Sequence, residues 1–168
     1  MIRPAKLSEI DKILTITKAC GIEMCAQGIF QWNEHYPSRA AFETDVARNE
    51  LYVLLVEETI IGCIVISSKM DAEYEVINWL TENANNYYIH RVAIHPDHQK
   101  KGHARKLMDF AEDRIKMLQG TSVRLDTFSQ NQRNQTFYEA RGYQRTGTVF
   151  FPKQSEHPFY CYELVLNP

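Results

Sequence analysis

Residues 95 to 108 read HPDHQKKGHARKLM, and they concentrate charge where a helix is about to begin. Lys100, Lys101, Arg105 and Lys106 surround Gly102, with His95, His98 and His103 interspersed. A helix N-terminus carries partial positive charge and favours Asp or Glu, so cations there work against the dipole. A bound anion would reverse that balance. The first four N–H groups of a helix have no intrahelical partner, and an anion would accept from them and from the lysines together. Gly102 would let such a ligand approach the backbone with no Cβ in the way. Each contact of this kind contributes roughly 0.3–2 kcal/mol, so several together could hold a diphosphate. The alternative is a solvated basic patch at a loop tip. The chain has no GxxxxGK[ST] and no GxGxxG run, which argues against nucleotide hydrolase and dehydrogenase chemistry.

The elements on either side must position this turn. YYIHRVAIHP (87–96) predicts a strand that stops at Pro96. From Gly102 to Leu118, Ala104, Leu107, Met108, Ala111, Ile115 and Leu118 recur at threes and fours, with Gly120 as the stop. The strand end is therefore aimed at the helix N-terminus. SVRLDTF (122–128) predicts the next strand, and a strand–helix–strand run implies a right-handed crossover and a locally parallel pair.

Upstream, MIRPA predicts an edge strand, because Pro4 cannot donate to a ladder. Ser8 is the expected N-cap of a helix over 9–20. Residues 21–37 are irregular and aromatic, and Ser38 opens a second short helix through about Arg48. Two apolar runs, 51–57 and 60–68, predict a hairpin with a tight turn at Glu58-Thr59. Residues 69–86 suit either a strand or a helical turn followed by loop. After a short helix over 133–140, 142–151 and 158–166 predict a closing antiparallel pair. The expected fold is α/β (α+β): a mixed, mainly antiparallel twisted sheet of about seven strands flanked by helices.

At 168 residues, with 44% apolar and 24% charged side chains, a single domain over 1–168 is expected. A net charge of −2 supplies no global field for nucleic acid. Cys20, Cys25, Cys63 and Cys161 form no CxxC pair, so reduced thiols in a cytoplasmic protein are the plain reading. No signal-peptide hydrophobic region and no apolar run of about 18 residues occurs, so no membrane association is expected.

Two blocks carry a family resemblance. QKKGHA (Gln99 to Ala104) resembles the [Q/R]-x-x-G-x-[G/A] acyl-CoA loop of the GNAT superfamily of N-acyltransferases. It follows a VAIHP strand end and precedes an amphipathic helix, as that family requires. NQRNQTFYEARGY (131–143) resembles the family's N-x-x-A-x-x-[FL]-Y-E-x-x-G-[FY], and IRPAKLSEIDKIL resembles its first strand and helix. The resemblance spans essentially the whole chain. It implies that Gln99, Lys100, Lys101, Gly102, His103, Ala104 and Arg105 surround the diphosphate of coenzyme A (CoA). It also implies that Val92, Ala93 and Ile94 present main-chain groups to the pantetheine arm like an added strand, joined by Asn131, Asn134 and Tyr138. Lys100 stands where the family often has Gly, and Asn134 where it often has Ala.

Such a protein would transfer an acetyl group from acetyl-CoA to a primary amine, directly, in a ternary complex. A lysine-type amine of pKa ~10.4 has its neutral form roughly 4–5 kcal/mol uphill at pH 7, an α-amine of pKa ~8 only about 1 kcal/mol. A base should therefore take the amine proton, and a donor should meet the departing sulfur. A backbone N–H near Val92 or Ala93 is the expected oxyanion donor. Tyr138 matches the family position that donates to the CoA sulfur; packing as a core aromatic is its other reading.

For the base, His90 shares a strand face with Val92 by alternation, a histidine there serves in some relatives, and its unperturbed pKa of ~6.5 suits the task. Glu34 and Glu23 are rivals from the 21–37 segment. His95, His98 and His103 lie at the diphosphate end and suit the role poorly. Cys25 and Cys63 read as small hydrophobes rather than acyl carriers.

GIFQWNEHYPS resembles a segment that often walls the acceptor pocket in the family. Phe30, Trp32, Glu34 and Tyr36 are the expected acceptor-binding residues, with stacking from the aromatics and Glu34 steering an ammonium group. Trp32 reads equally as a core plug. Some of His157, Phe159, Tyr160 and Tyr162 would face them. The acceptor is a small-molecule amine or a peptide, no metal is expected, and a homodimer stays open. A non-catalytic acyl-CoA-binding sensor of the same fold is the competing reading.

Overall fold

Ile10, Ile13, Ile16, Thr17 and Cys20 are all buried along helix α1, Ile10–Ala26, as a helical stripe of threes and fours requires. The computed structural model describes residues 1–166; positions 167 and 168 of the expected domain lie outside the described residues. The helix is longer than its sequence pattern suggests, because it runs on through Gly21. A helical Gly costs only about 1 kcal/mol relative to Ala, and at Gly21 a Cβ would lie 3.7 Å from Trp32 Cβ, in ordinary contact. Ser8 is not the cap. It sits inside a short 3-10 turn, Leu7–Glu9, and Glu9 does the local bonding, accepting from Lys6 N–H at 2.8 Å and from Arg3 at 2.6 Å. Ser38 does cap helix α2, Arg39–Ala47, its Oγ accepting from Ala41 N–H at 3.1 Å.

Strands β1 (Ile2–Pro4), β2 (Leu51–Val56), β3 (Thr59–Ser67), β4 (Asn86–Ile94), β5 (Ser122–Phe128), β6 (Gln144–Val149) and β7 (Phe159–Val165) hydrogen-bond in the order β1-β2-β3-β4-β5-β7-β6. The β4–β5 pair is parallel; β1–β2, β2–β3, β5–β7 and β6–β7 are antiparallel. Helices α3 (His103–Met117) and α4 (Gln132–Ala140) complete a mixed, mostly antiparallel α/β fold. The β2–β3 turn sits one residue earlier than expected, at Glu57 and Glu58, both with positive φ. The ambiguous stretch before β4 resolves into a 3-10 turn, Ala72–Val76.

The described chain gathers into two compact units. One holds residues Met1–Ile66 and His90–Ala111, with a core of Ile10, Ile13, Ile16, Phe42, Leu51 and Val53 among others. The other holds Ser67–Ile89 and the chain from Glu112 onward. Its centre is ionic. Arg124 and Glu163 are both 0% exposed, with Nε 3.0 Å from Oε1, and Ser122, Thr81 and Leu80 N–H also donate to the carboxylate. Trp79 lies under the guanidinium, 4.5 Å from ring centroid to Cζ.

Candidate active site

Strand β4 is irregular in its middle. Its parallel register with β5 covers Asn86–Tyr88 against Ser122–Arg124. Farther on, Arg91 has a φ of 50°, a left-handed conformation rare for any residue but glycine. The alternation that would put His90 and Val92 on one face is thus interrupted by the residue between them. Side chains hold this conformation. Arg91 donates through Nε and Nη2 to Asp45 at 2.9 and 2.7 Å, and through Nη1 to the Tyr36 hydroxyl at 3.1 Å. Burial alone would lower the Arg91 pKa; Tyr36 and Asp45 outweigh it and raise the value instead.

On β3, Gly62 approaches so closely that a Cβ there would lie 2.5 Å from the Ala93 carbonyl oxygen. Two thiols reach the same strand: Cys63 Sγ is 3.4 Å from Arg91 O, and Cys20 Sγ is 3.0 Å from Ile94 O. Burial pushes both thiols up to about 12. They are hydrogen-bond donors at neutral pH, not nucleophiles. His90 is half-buried; burial first, and the Arg91 charge second, pull it down to about 3. Its ring is neutral at pH 7 and takes a proton poorly.

Beyond Ile94 the chain makes a 3-10 turn, Pro96–His98, and enters α3. Gln99 folds back, its Nε2 donating to Ile94 O at 2.9 Å. Lys101 Nζ donates to Asp97 O at 3.1 Å. Lys100 and Gly102 both have positive φ, 61° and 81°. The first turn of α3 contains no acidic residue. Burial, then the charges of Lys106, His98 and Lys101, lower the His103 pKa, and His103 Nδ1 is buried with no hydrogen-bond partner. An orphaned polar atom beside cations, at a helix whose first turn carries no acid, fits an anion such as the CoA diphosphate. Ala104 and Arg105 continue this first turn.

In the same unit a cavity of about 430 Å³ is lined by Leu14, Ile22, Cys25, Trp32, Glu34 and Pro37 among others. Trp32 lines this cavity and also belongs to the buried core. Glu34 is exposed at its edge, 3.4 Å from His35 Nε2. Phe30 is 59% exposed, while Tyr36 turns to Arg91. Glu23 is a surface residue that accepts from Gln27 at 3.1 Å.

In the second unit Asn131 and Asn134 meet each other: the Asn131 side chain caps α4 by accepting from Asn134 N–H at 3.1 Å. Tyr138 is buried against Phe137 and Tyr143, at 5.2 and 5.7 Å between ring centroids. Burial first, and the charge of Asp126 second, raise its hydroxyl above the ordinary phenol range, with Arg141 opposing. Tyr138 therefore keeps its proton at neutral pH. Phe159 and Tyr162 are core residues, Tyr162 donating to Glu139 at 2.9 Å. Tyr160 stacks under Arg145 at 3.9 Å.

Sequence reasoning missed Arg91, Asp45 and Gly62. It also missed Asp126 on β5, which accepts a hydrogen bond from the Tyr74 hydroxyl; a single carboxylate inside VRLDTF was the available signal. Among the described residues no group of three or more His, Cys, Asp or Glu is placed to hold a metal ion. None of their helices is long and apolar enough to cross a membrane.

The mixed seven-stranded sheet and the basic entrance to α3 agree with the acyltransferase that the sequence resemblance implies. Residues 16–143 match the acetyltransferase (GNAT) family, and the chain belongs to it. Among solved structures it is similar to one assigned as an acetyltransferase from Staphylococcus aureus Mu50, with 28% identity, a TM-score of 0.77 and coverage of 99% of each chain. A GNAT-family acetyltransferase from Streptococcus agalactiae 2603 shares the fold at a TM-score of 0.84 and 23% identity, over 100% of this chain and 96% of that one. The NatC complex bound to Gag peptide and CoA contains a chain with the same fold, TM-score 0.71 and 18% identity, over 99% and 98%. No curated protein sequence matches the chain significantly.

Proposed function

We propose that the protein transfers an acetyl group from acetyl-CoA to a primary amine by direct transfer in a ternary complex. The carrying observation is the turn at 99–105: left-handed Lys100 and Gly102 deliver the chain into an α3 first turn with cations, no acid and an orphaned His103 Nδ1. Acetyl-CoA supplies the activated acyl group when bound. The chain's own residues hold its diphosphate at Lys101–Arg105 and its pantetheine arm along Val92, Ala93 and Ile94. A main-chain N–H at Val92 or Ala93 faces the developing oxyanion, and Tyr138 returns a proton to the sulfur.

Trp32 and Glu34 receive the acceptor in the cavity beside α1, an apolar body against the indole and an ammonium towards the carboxylate. A neighbour of this fold is described as bound to a peptide and CoA, which supports a peptide amine beside a small one. Four free cysteines suit a cytoplasmic setting.

The test pairs calorimetry of CoA with thiol release over a panel of small amines and peptides. Wild type should bind CoA and release thiol with at least one amine. Gly102→Asp should abolish CoA binding, because it puts a side chain and a negative charge at the diphosphate. Unchanged CoA affinity in that variant would overturn the reading. CoA binding without turnover on any amine would make the protein a sensor instead.

A further inference from the structure

The cavity beside α1 has two walls, and each carries one charge. Leu14, Thr17, Lys18, Gly21, Ile22 and Cys25 recur at threes and fours along α1 and line one side. Trp32, Asn33, Glu34 and Pro37 line the other. Both walls lie in the unit that contains His90 to Ile94 of β4. On α1, Cys20 donates to Ile94 O at 3.0 Å, and Trp32 shares a core with Ala93. The loop wall is held by its own hydrogen bonds. Asn33 and Tyr36 exchange main-chain bonds of 3.1 and 3.4 Å, and Asn33 Oδ1 accepts from His35 N–H and Tyr36 N–H at 2.8 and 3.0 Å. The Tyr36 hydroxyl then accepts from Arg91. The cavity is thus fixed against the strand proposed to carry the pantetheine arm.

Its volume of about 430 Å³ falls at the small end of ligand pockets, which span ~300–1,000 Å³. Leu14, Ile22, Trp32 and Pro37 give it a largely apolar lining, interrupted by a cation at Lys18 and an anion at Glu34. Among the described residues no ion pair joins the two. Glu34 lies 3.4 Å from His35, and no carboxylate is bonded to Lys18. A ligand with an ammonium and a carboxylate on an apolar body complements all three features together. A polyamine brings nothing for Lys18 and is repelled by it. A peptide N-terminus presents an amide where a free amino acid has its carboxylate, and leaves the Lys18 ammonium without a partner.

We propose that the acceptor is a free α-amino acid with an apolar side chain, its carboxylate at Lys18, its amino group towards Glu34 and its side chain against Trp32. This rests on the N-acetyltransferase reading above and narrows its acceptor. The α-nitrogen bonds to the thioester carbonyl carbon and the carbon–sulfur bond breaks. The ammonium gives up two protons in all; the departing sulfur takes up one, and the other is released to water. The amide product has lost the positive charge that Glu34 attracts, so it is held less tightly than the substrate and departs.

Thiol release from acetyl-CoA tests this with L-leucine, L-leucinamide, glycine, the peptide Leu-Gly-Gly and spermidine as acceptors. Leucine should exceed glycine in kcat/KM by at least about tenfold, as an apolar pocket discriminates by methylene groups. Lys18→Met keeps the apolar stem and removes the charge. It should lower the ratio of kcat/KM for leucine over leucinamide about fivefold, the loss of one charge pair at a solvent-exposed rim, and Lys18→Glu should lower it further. Comparing the ratio between variants cancels the different basicities of the two amines. Lys18 is exposed on α1, so neither change disturbs the core. An unchanged ratio in both variants would overturn the assignment, as would turnover of Leu-Gly-Gly or spermidine with none of leucine; either result leaves the transferase reading standing. A wild type that releases no thiol with any amine would remove that reading and this one with it.

Discussion

Arg91 meets Asp45 through two parallel hydrogen bonds of 2.9 and 2.7 Å, joining strand β4 at its left-handed residue to helix α2. Both partners are largely buried. Removing one side of a buried ion pair leaves an uncompensated charge and costs about 3–5 kcal/mol. Asp45→Asn should therefore lower stability by that order in urea denaturation. Tyr36→Phe removes one hydrogen bond to the same guanidinium and should cost about 1 kcal/mol. Equal losses in the two variants would mean that Asp45 is not the main anchor of Arg91.

Gly62 limits how β3 can meet β4. A Cβ at Gly62 would lie 2.5 Å from Ala93 O and 2.6 Å from Ile94 Cδ1. The carbonyl belongs to backbone and cannot swing aside, so β4 must move. Gly62→Ala should destabilise by about 1–3 kcal/mol, the usual range for overpacking, and should weaken CoA binding by displacing the strand proposed to hold the pantetheine. A variant with wild-type stability and CoA affinity would show that β4 accommodates the methyl group freely.

Lys100 separates strain from binding. Its φ of 61° costs about 1–2 kcal/mol for a residue with a Cβ, and Gly would adopt it without that cost. Lys100→Gly should raise the urea midpoint while weakening CoA several-fold, through loss of one ammonium at the proposed diphosphate site. The two signs are opposite. If CoA affinity rises along with stability, Lys100 makes no phosphate contact.

These positions also explain what the sequence conveyed. Strand and helix order, the Ser38 cap and the turn into α3 were legible because periodicity, a capping hydroxyl and Gly102 report local preferences. The features that shape β4 were not. Arg91, Lys100, Glu57 and Glu58 all adopt positive φ without being glycine, so the usual marker of such a backbone is missing. Tertiary contacts impose the Arg91 conformation, and Asp45 lies 46 positions away. Asp126 is likewise one acidic letter in a mostly buried strand until Tyr74, 52 positions earlier, is folded against it. Continuation of α1 past Gly21 was hidden for a related reason: Trp32 packs beside that glycine, and burial outweighs its weak helix propensity.

Acid should unfold the protein in two distinguishable ways. His90 is pulled down to about 3 in the folded chain, against an unfolded value of ~6.5. Between those values the unfolded state binds the extra proton, so stability falls as pH falls, by up to about 1.4 kcal/mol per unit. Glu163 adds to this at lower pH. Burial would raise its pKa, but hydrogen bonds from Ser122, Thr81, Arg124 and Leu80 N–H outweigh burial and hold it below the ordinary carboxylate value. Its contribution is present above the unfolded pKa and is lost as pH falls through the folded one. His90→Gln should therefore flatten the stability profile between about pH 6.5 and 5 while leaving the steeper fall below about pH 4.5 in place. Urea denaturation at half-unit pH steps distinguishes the two; an unchanged slope above pH 5 in His90→Gln would mean that His90 accepts its proton in the folded chain as readily as in the unfolded one.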